Sequence, residues 1–434
     1  MSDFILRSRR VVLPGATAPA TLHVANGRIE RVGGWNEVPP DARVEDVGSA
    51  LVMPGVVDTH VHANEPGRSE SDAFESTTHA AAAGGITTLL DMPFDSIRAA
   101  TSAAALDAKR AAARDHSRVN VEFIGGVVPG NTAELEPLRD AGVRAFKCFL
   151  SPTGVDEFSA VGEADLRAAF PTLARLELPL MVHAELPDRL EPEPEGGSRS
   201  YAQYLASRPP DAERAAVELL VRLMDEAITP PRVHIVHLSS PLSLDVIRDA
   251  RTRGLPLTVE TCPHYLTFAA SEVPDGATEF KCAPPIRTEA DRDGLWRALI
   301  DGDIDVVASD HSPCPPDLKG TNGDFFAAWG GIASLQFSLA ATWTGARLRG
   351  VDPRPIATWM CEAPARLVGL SDRRARLAAG CDADIVVWNP DAMFRVTEAG
   401  VRHRHPITPY LGRHLFGIVE RTYVGGRLVF ERGT

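Results

Sequence analysis

Apolar residues along this chain recur in two patterns. Through the middle, short apolar runs alternate with longer Ala- or Leu-rich stretches of helical character. The runs are Val56-Val57-Asp58-Thr59-His60, Ile86-Thr87-Thr88-Leu89-Leu90, 119–124, 145–150, 179–183, 233–237, 257–260 and 304–309. Between them lie the helical stretches 99–115, 166–178, 212–227, 241–253 and 288–300. About eight strands in repeating strand-helix order predict an α/β fold, a (β/α)8 TIM-like barrel. A doubly wound open sheet is the alternative, but no Gly-x-Gly-x-x-Gly follows the first run.

Toward both ends the pieces are short and β-prone. Thr21-Leu22-His23-Val24 and Arg28-Ile29-Glu30-Arg31-Val32 flank the turn Asn26-Gly27. Asp384-Ile385-Val386-Val387-Trp388, Arg421-Thr422-Tyr423-Val424 and Arg427-Leu428-Val429-Phe430 are alike in kind. None is large enough to hold a core alone, so the two ends are expected to join. The expected organisation is a composite β-sandwich from 1–53 and 376–434, with the barrel over 54–375. Two long excursions, 185–208 and 310–329, follow strands and therefore belong to the C-terminal face of a barrel, where active sites sit.

Composition narrows the function more than the fold. With 434 residues and 44% hydrophobic content the chain can bury a large core. A formal net charge of -13 argues against nucleic acid or an anionic membrane surface as partner. The start, Met1-Ser2-Asp3-Phe4, has no basic leader and no stretch reaches eighteen uninterrupted apolar residues, so a cytoplasmic location is expected. The six cysteines are dispersed without a Cys-x-x-Cys pair, which leaves histidines and carboxylates to supply any metal site.

The candidate chemistry lies at the ends of the apolar runs. His60 and His62 stand two residues apart, so on a strand both imidazoles face one way and can reach one metal ion. Alone, such a pair equally fits two histidines capping a strand end. Further along, Lys147 sits inside the fourth run, His183 and His237 end the fifth and sixth, and Asp310 follows the eighth. Six such groups on the ends of five strands are hard to obtain by accident, although each has a bland reading as a core or capping residue. Lys147 is the odd member, since an ammonium cannot ligate a cation. Burial favours the neutral amine, which adds carbon dioxide to give a carbamate, N6-carboxylysine, with two ligating oxygens. A buried salt bridge from Lys147 to Asp310 or Asp58 is the competing reading.

These residues resemble the cyclic amidohydrolases of the amidohydrolase superfamily, and the likeness covers nearly the whole chain. It is carried by Asp58-Thr59-His60-Val61-His62-Ala63-Asn64-Glu65-Pro66-Gly67-Arg68, Ala82-Ala83-Gly84-Gly85-Ile86-Thr87-Thr88 and Phe146-Lys147-Cys148-Phe149-Leu150. Lys281-Cys282-Ala283-Pro284-Pro285-Ile286-Arg287, Ser309-Asp310-His311-Ser312-Pro313-Cys314 and His403-Arg404-His405-Pro406-Ile407-Thr408-Pro409-Tyr410 add to it. The resemblance implies two divalent ions, zinc by default. His60, His62 and Asp310 would hold the deeper ion, His183 and His237 the more exposed one, and carboxylated Lys147 would bridge them. Asp310 would also relay a proton during attack by an activated water. A homo-oligomer, a tetramer in the family, is implied as well.

Within that family the match is most similar to the allantoinase group. Dihydroorotases follow His-x-His with x-Arg-Glu-Pro-Gly, whose arginine grips a substrate carboxylate, whereas Asn64 stands here, with Ala283 and Cys314 at two other substrate-facing positions. Hydantoinases and dihydropyrimidinases place a tyrosine shortly after the lysine, and Phe149-Leu150-Ser151-Pro152-Thr153-Gly154 has none. The implied substrate is a small neutral cyclic ureide, allantoin, opened to allantoate, with Ser312 and Asn64 as candidate contacts. Asp95, in Met92-Pro93-Phe94-Asp95-Ser96, departs from the group's usual asparagine and can accept but not donate hydrogen bonds. His264 and His234 read as structural. The rival readings are a hydantoinase or dihydropyrimidinase acting on another neutral ring, and a non-catalytic scaffold of the same fold.

Overall fold

The computed structural model describes residues 3–320 and 322–433. Five strands open the chain: β1 (Phe4–Leu13), β2 (Ala16–Ala25), β3 (Arg28–Gly34), β4 (Val44–Asp46) and β5 (Leu51–Pro54). Eight follow in the middle: β6 (Val56–Val61), β7 (Ile86–Asp91), β8 (Asn120–Gly126), β9 (Ala145–Phe149), β10 (Leu180–His183), β11 (Val233–Ile235), β12 (Leu257–Thr261) and β13 (Val306–Val307). Near the end lie β14 (Ile385–Arg395), β15 (His414–Val424) and β16 (Arg427–Glu431).

The middle eight pair in parallel and in chain order from β6 to β13. Each matches one of the expected apolar runs. Both β6 and β7 are buried at every position, which is why neither shows the strict in-out alternation of a half-exposed strand. The sheet closes on itself through parallel bridging of Val61 to His311, with His62 N donating to His311 O at 2.9 Å. The fold is therefore an α/β barrel of the TIM type.

The expected helices form at Ala103–Arg114, Glu163–Leu176, Pro210–Glu226, Leu244–Thr252 and Glu289–Asp301. The last is stopped at both ends by local chemistry. Thr288 and Asp291 exchange capping-box hydrogen bonds at its start, and Gly302 takes φ 87° after its end. A helix at Phe74–Ala83 was not expected. Its inward side includes Phe74, Thr77, Thr78, Ala80, Ala81 and Ala82, so it lacks the polar stripe by which a surface helix is recognised.

The two ends join as expected, in one hydrogen-bonded sheet ordered β16-β15-β14-β5-β1-β2-β3, with β4 beside β1. Asn26 and Gly27, at φ 51° and 76°, turn β2 into β3. Alternation along β5 and β14 divides two cores. Val52, Ile385 and Val387 join a cluster with Phe4, Leu22 and Tyr423, while Leu51, Met53, Val386 and Trp388 enter the large core that fills the barrel. One residue, Gly55, separates β5 from β6, so the terminal sheet and the first barrel strand are held in fixed relation. No helix among the described residues is long and apolar enough to cross a membrane.

Gly55 N donates to Asp384 O at 2.9 Å, and a methyl group at Gly55 would overlap the Thr87 side chain on β7. Gly55→Ala should therefore destabilise the protein by about 1–3 kcal/mol, the usual range for overpacking. Calorimetry should record a lower thermal midpoint; an unchanged midpoint would mean that β7 moves aside freely.

Candidate active site

The strand C-termini open on a cavity of about 830 Å³. His60 comes from β6 and His62 follows it; Lys147 is on β9, His183 ends β10, and His237 and Asp310 lie just beyond β11 and β13. Five of these six line the cavity, and Lys147 lies fully buried behind it.

The contacts divide into two halves. His60 and His62 both turn Nε2 toward Asp310, at 3.2 and 3.4 Å from Oδ1. The opposite nitrogen of His60, Nδ1, meets Glu260 Oε1 at 2.8 Å. His62 Nδ1 lies 3.1 Å from Asp95 Oδ2, within ion-pair reach but off the hydrogen-bond axis. In the second half, His183 Nε2 meets Glu185 Oε2 at 2.8 Å, and Arg208 binds the same oxygen at 2.5 Å. With its proton directed to Glu185, His183 presents a bare Nδ1, 3.0 Å from His237 Nε2. Each ring thus turns one nitrogen inward, those of His60 and His62 toward Asp310 and those of His183 and His237 toward each other.

Lys147 is 0% exposed, and its Nζ has no hydrogen-bond partner. The salt bridge to Asp310 or Asp58 allowed by the sequence is not formed. Its Nζ stands over the Phe149 ring, 4.8 Å from the centroid. Burial lowers the Lys147 ammonium to about 8, against the opposing pull of Asp310 and Glu260. Its charge in turn depresses His60, His183 and His237, for which burial is the larger cause, so it stands electrically among them. Burial works against ionisation of Asp310, yet His60, His62 and His237 hold its carboxyl well below the usual range.

These observations fit a divalent cation at His60, His62 and Asp310. His60, His62 and Asp310 bring three buried ligand atoms within 4.8 Å of one another. The orphaned amine of Lys147 and the unpartnered Nδ1 atoms of His62 and His237 are costly, because each unpaired buried polar atom costs about 1–3 kcal/mol. The backbone adds to this cost. His237 and Asp310 adopt φ 42° and 47°, a left-handed conformation uncommon for residues with a side chain.

Other expected residues are placed less centrally. Ser312 lines the cavity. Asn64 does not; at φ 56° its Nδ2 donates to Pro313 O at 3.3 Å, so it ties the loop after His62 to the loop after β13. Ala283 is in the wall, and Cys314 is buried outside it. His234 is structural, meeting Thr258 Oγ1 at 2.8 Å and Glu260 Oε2 at 3.5 Å. His264 is buried with neither ring nitrogen partnered, and one of them lies in a second cluster with Cys262 and Asp310.

Sequence reasoning missed Glu260 and the Glu185–Arg208 pair. Glu260 interrupts the apolar run of β12 just as Lys147 interrupts that of β9, so the same signal was present. Burial would raise its carboxyl, but His60 and His234 hold it at about 2. It meets four groups at once: His60 Nδ1, His234 Nε2, the Thr59 hydroxyl and, at 3.3 Å, the backbone N of His237.

The chain matches the amidohydrolase family over residues 51–429 and belongs to it. Among relatives, an allantoinase of Streptomyces avermitilis is 48% identical over 436 residues, spanning 100% of this chain and 97% of its own. Allantoinases of Arabidopsis thaliana and Saccharomyces cerevisiae are 43% and 41% identical, covering 99% and 98% of this chain and 88% and 95% of theirs. Among solved structures, an L-hydantoinase (dihydropyrimidinase) from Arthrobacter aurescens superposes with a TM-score of 0.92 at 29% identity, over 100% of this chain and 97% of that one.

Replacing Glu260 by glutamine keeps its shape but removes the charge that orients His60. Glu260→Gln should lower divalent-metal affinity roughly 10–100-fold, the usual effect of losing a partner behind a ligand. Metal content after dialysis against graded chelator measures it, and unchanged retention would show that His60 needs no such support.

Proposed function

We propose that this chain hydrolyses the ring amide of allantoin to give allantoate, using two divalent ions, zinc by default. His60, His62 and Asp310 would hold one ion, His183 and His237 the other, and Lys147, carboxylated by carbon dioxide, would bridge both. The observation that carries this reading is the convergence of inward-facing imidazole nitrogens on Asp310 beside a buried lysine without a partner. The allantoinase relatives, matched over nearly the whole chain, supply the substrate.

When bound, such ions supply Lewis acidity and a water that ionises near neutral pH. The rest falls to the protein. Hydrolysis consumes one water: its oxygen ends on the acyl carbon, the ring C–N bond breaks, and the nitrogen leaves with a proton. Asp310, ionised and at the cavity floor, is positioned to take a proton from the water and return it to that nitrogen. Glu260 and Glu185 keep His60 and His183 in one tautomer throughout. Ser312 is the remaining candidate for the ring's polar edge.

Wall chemistry supports a neutral guest. Two cations line the cavity beside the histidines, and both are engaged elsewhere. Arg208 is paired with Glu185, and Lys281 Nζ donates to Phe326 O and Ala328 O at 3.0 and 2.5 Å. A substrate carboxylate would have to compete with these contacts. The likeness to the hydantoinase fold keeps a second reading open, in which another neutral cyclic amide is the substrate.

A metal-replete preparation assayed against allantoin, hydantoin, dihydrouracil and dihydroorotate separates the two. Allantoin should be preferred and dihydroorotate refused; faster turnover of hydantoin or dihydrouracil would assign the chain to the second reading. Lys147→Ala should lose bound metal and activity together, with partial recovery on adding short carboxylic acids. Full activity without them would eliminate the carbamate.

A further inference from the structure

Carboxylates stand behind three of the four inward-facing histidines, but their charges are not equally free. Behind His183, Glu185 is bound by Arg208 at 2.5 Å, so its negative charge is offset, and His237 Nδ1 has no partner at all. Behind the other pair, Glu260 faces His60, and its second oxygen meets only the imidazole of His234 and the hydroxyl of Thr59. Asp95 faces His62 and is 1% exposed in the cavity wall. Its Oδ1 is buried without a hydrogen bond, and the nearest cation, on Arg68, stands 3.9 Å away on a side chain 28% exposed. The backbone at Asp95, with φ 68°, directs the carboxylate there at a conformational cost that aspartate and asparagine bear best.

We propose that Asp95 is a positioning residue for His62 and that it makes the two divalent-cation sites unequal. The ion held by His60, His62 and Asp310 is bound tightly, and the ion held by His183 and His237 exchanges first. Two physical effects act in the same direction. A carboxylate 3.1 Å from Nδ1 draws the ring proton to that side and so leaves Nε2 to face inward, and its uncompensated charge favours a dication a few ångströms further on. Relatives with asparagine at this position would keep the first effect and lose the second. The proposal rests on the two-metal reading above.

The test is release of divalent metal from the zinc-loaded protein under increasing chelator, followed by metal analysis. Release from the unaltered protein should come in two steps of one equivalent each. In Asp95→Asn, which preserves size and shape, the late step should move toward the early one by roughly 10–100-fold in chelator concentration, with the early step unchanged. Arg68→Met, which removes the offsetting cation, should move the late step the other way. A late step unaltered in Asp95→Asn, or a shift confined to the early step, overturns the proposal. So would a raised KM for allantoin with unaltered metal release, because Asp95 would then act on substrate. If the unaltered protein retains no divalent metal at all, the two-metal reading fails instead.

Discussion

Closure of the parallel sheet is the constraint on which the rest of the molecule depends. The first and last barrel strands meet where Val61 bridges His311 and where His62 N donates to His311 O at 2.9 Å. That seam runs through the proposed metal ligands. His60 and His62 lie on one side of it and Asp310 on the other, so the backbone bonds that complete the barrel also bring the carboxylate to the imidazoles. Because β6 follows the terminal sheet after a single glycine, the register of β5 against β14, with Val52 opposite Val387, reaches the same seam through the chain.

Having gathered these groups, the fold pays heavily for keeping them dry. Lys147 Nζ and His237 Nδ1 are buried without partners, and His237 and Asp310 hold left-handed backbone. Each such feature costs about 1–3 kcal/mol, against a net stability of about 5–15 kcal/mol for a typical domain. The large apolar core of the barrel and its closed hydrogen-bonding are what allow it. A ligand that binds only the folded state and satisfies these groups returns the cost, which couples occupancy of the site to stability.

Much of this was legible in the sequence, for identifiable reasons. All eight barrel strands are signalled because a parallel sheet covered on both faces leaves unbroken apolar runs, and the two-residue spacing of His60 and His62 translates directly into a shared face. Lys147 is visible as a charge where no charge is comfortable. Glu260 carries the same signal and was passed over, because a glutamate in a strand without a histidine neighbour in sequence offers no hint of His60, two hundred residues away. Asn64 shows the opposite failure. Its place beside the ligands suggested substrate contact, but a positive φ turns its side chain to Pro313 O, and nothing in the local pattern announces a left-handed asparagine.

The same distinction between what a residue is and what surrounds it governs specificity. Reading the sequence alone, neutrality of the substrate followed from a missing arginine at position 64, yet Asn64 is not in the cavity wall. The argument survives on different residues. Arg208 and Lys281 are in the wall and could serve a carboxylate, but one is neutralised by Glu185 and the other is drawn into the carbonyls of Phe326 and Ala328. Arg208 therefore has a double use: by binding Glu185 it fixes His183, and by being bound it is withheld from substrate. On the proposed function, selectivity for an uncharged ring would arise from cations that are present and already committed, so a change that freed Arg208 would alter ligand geometry and substrate charge preference together.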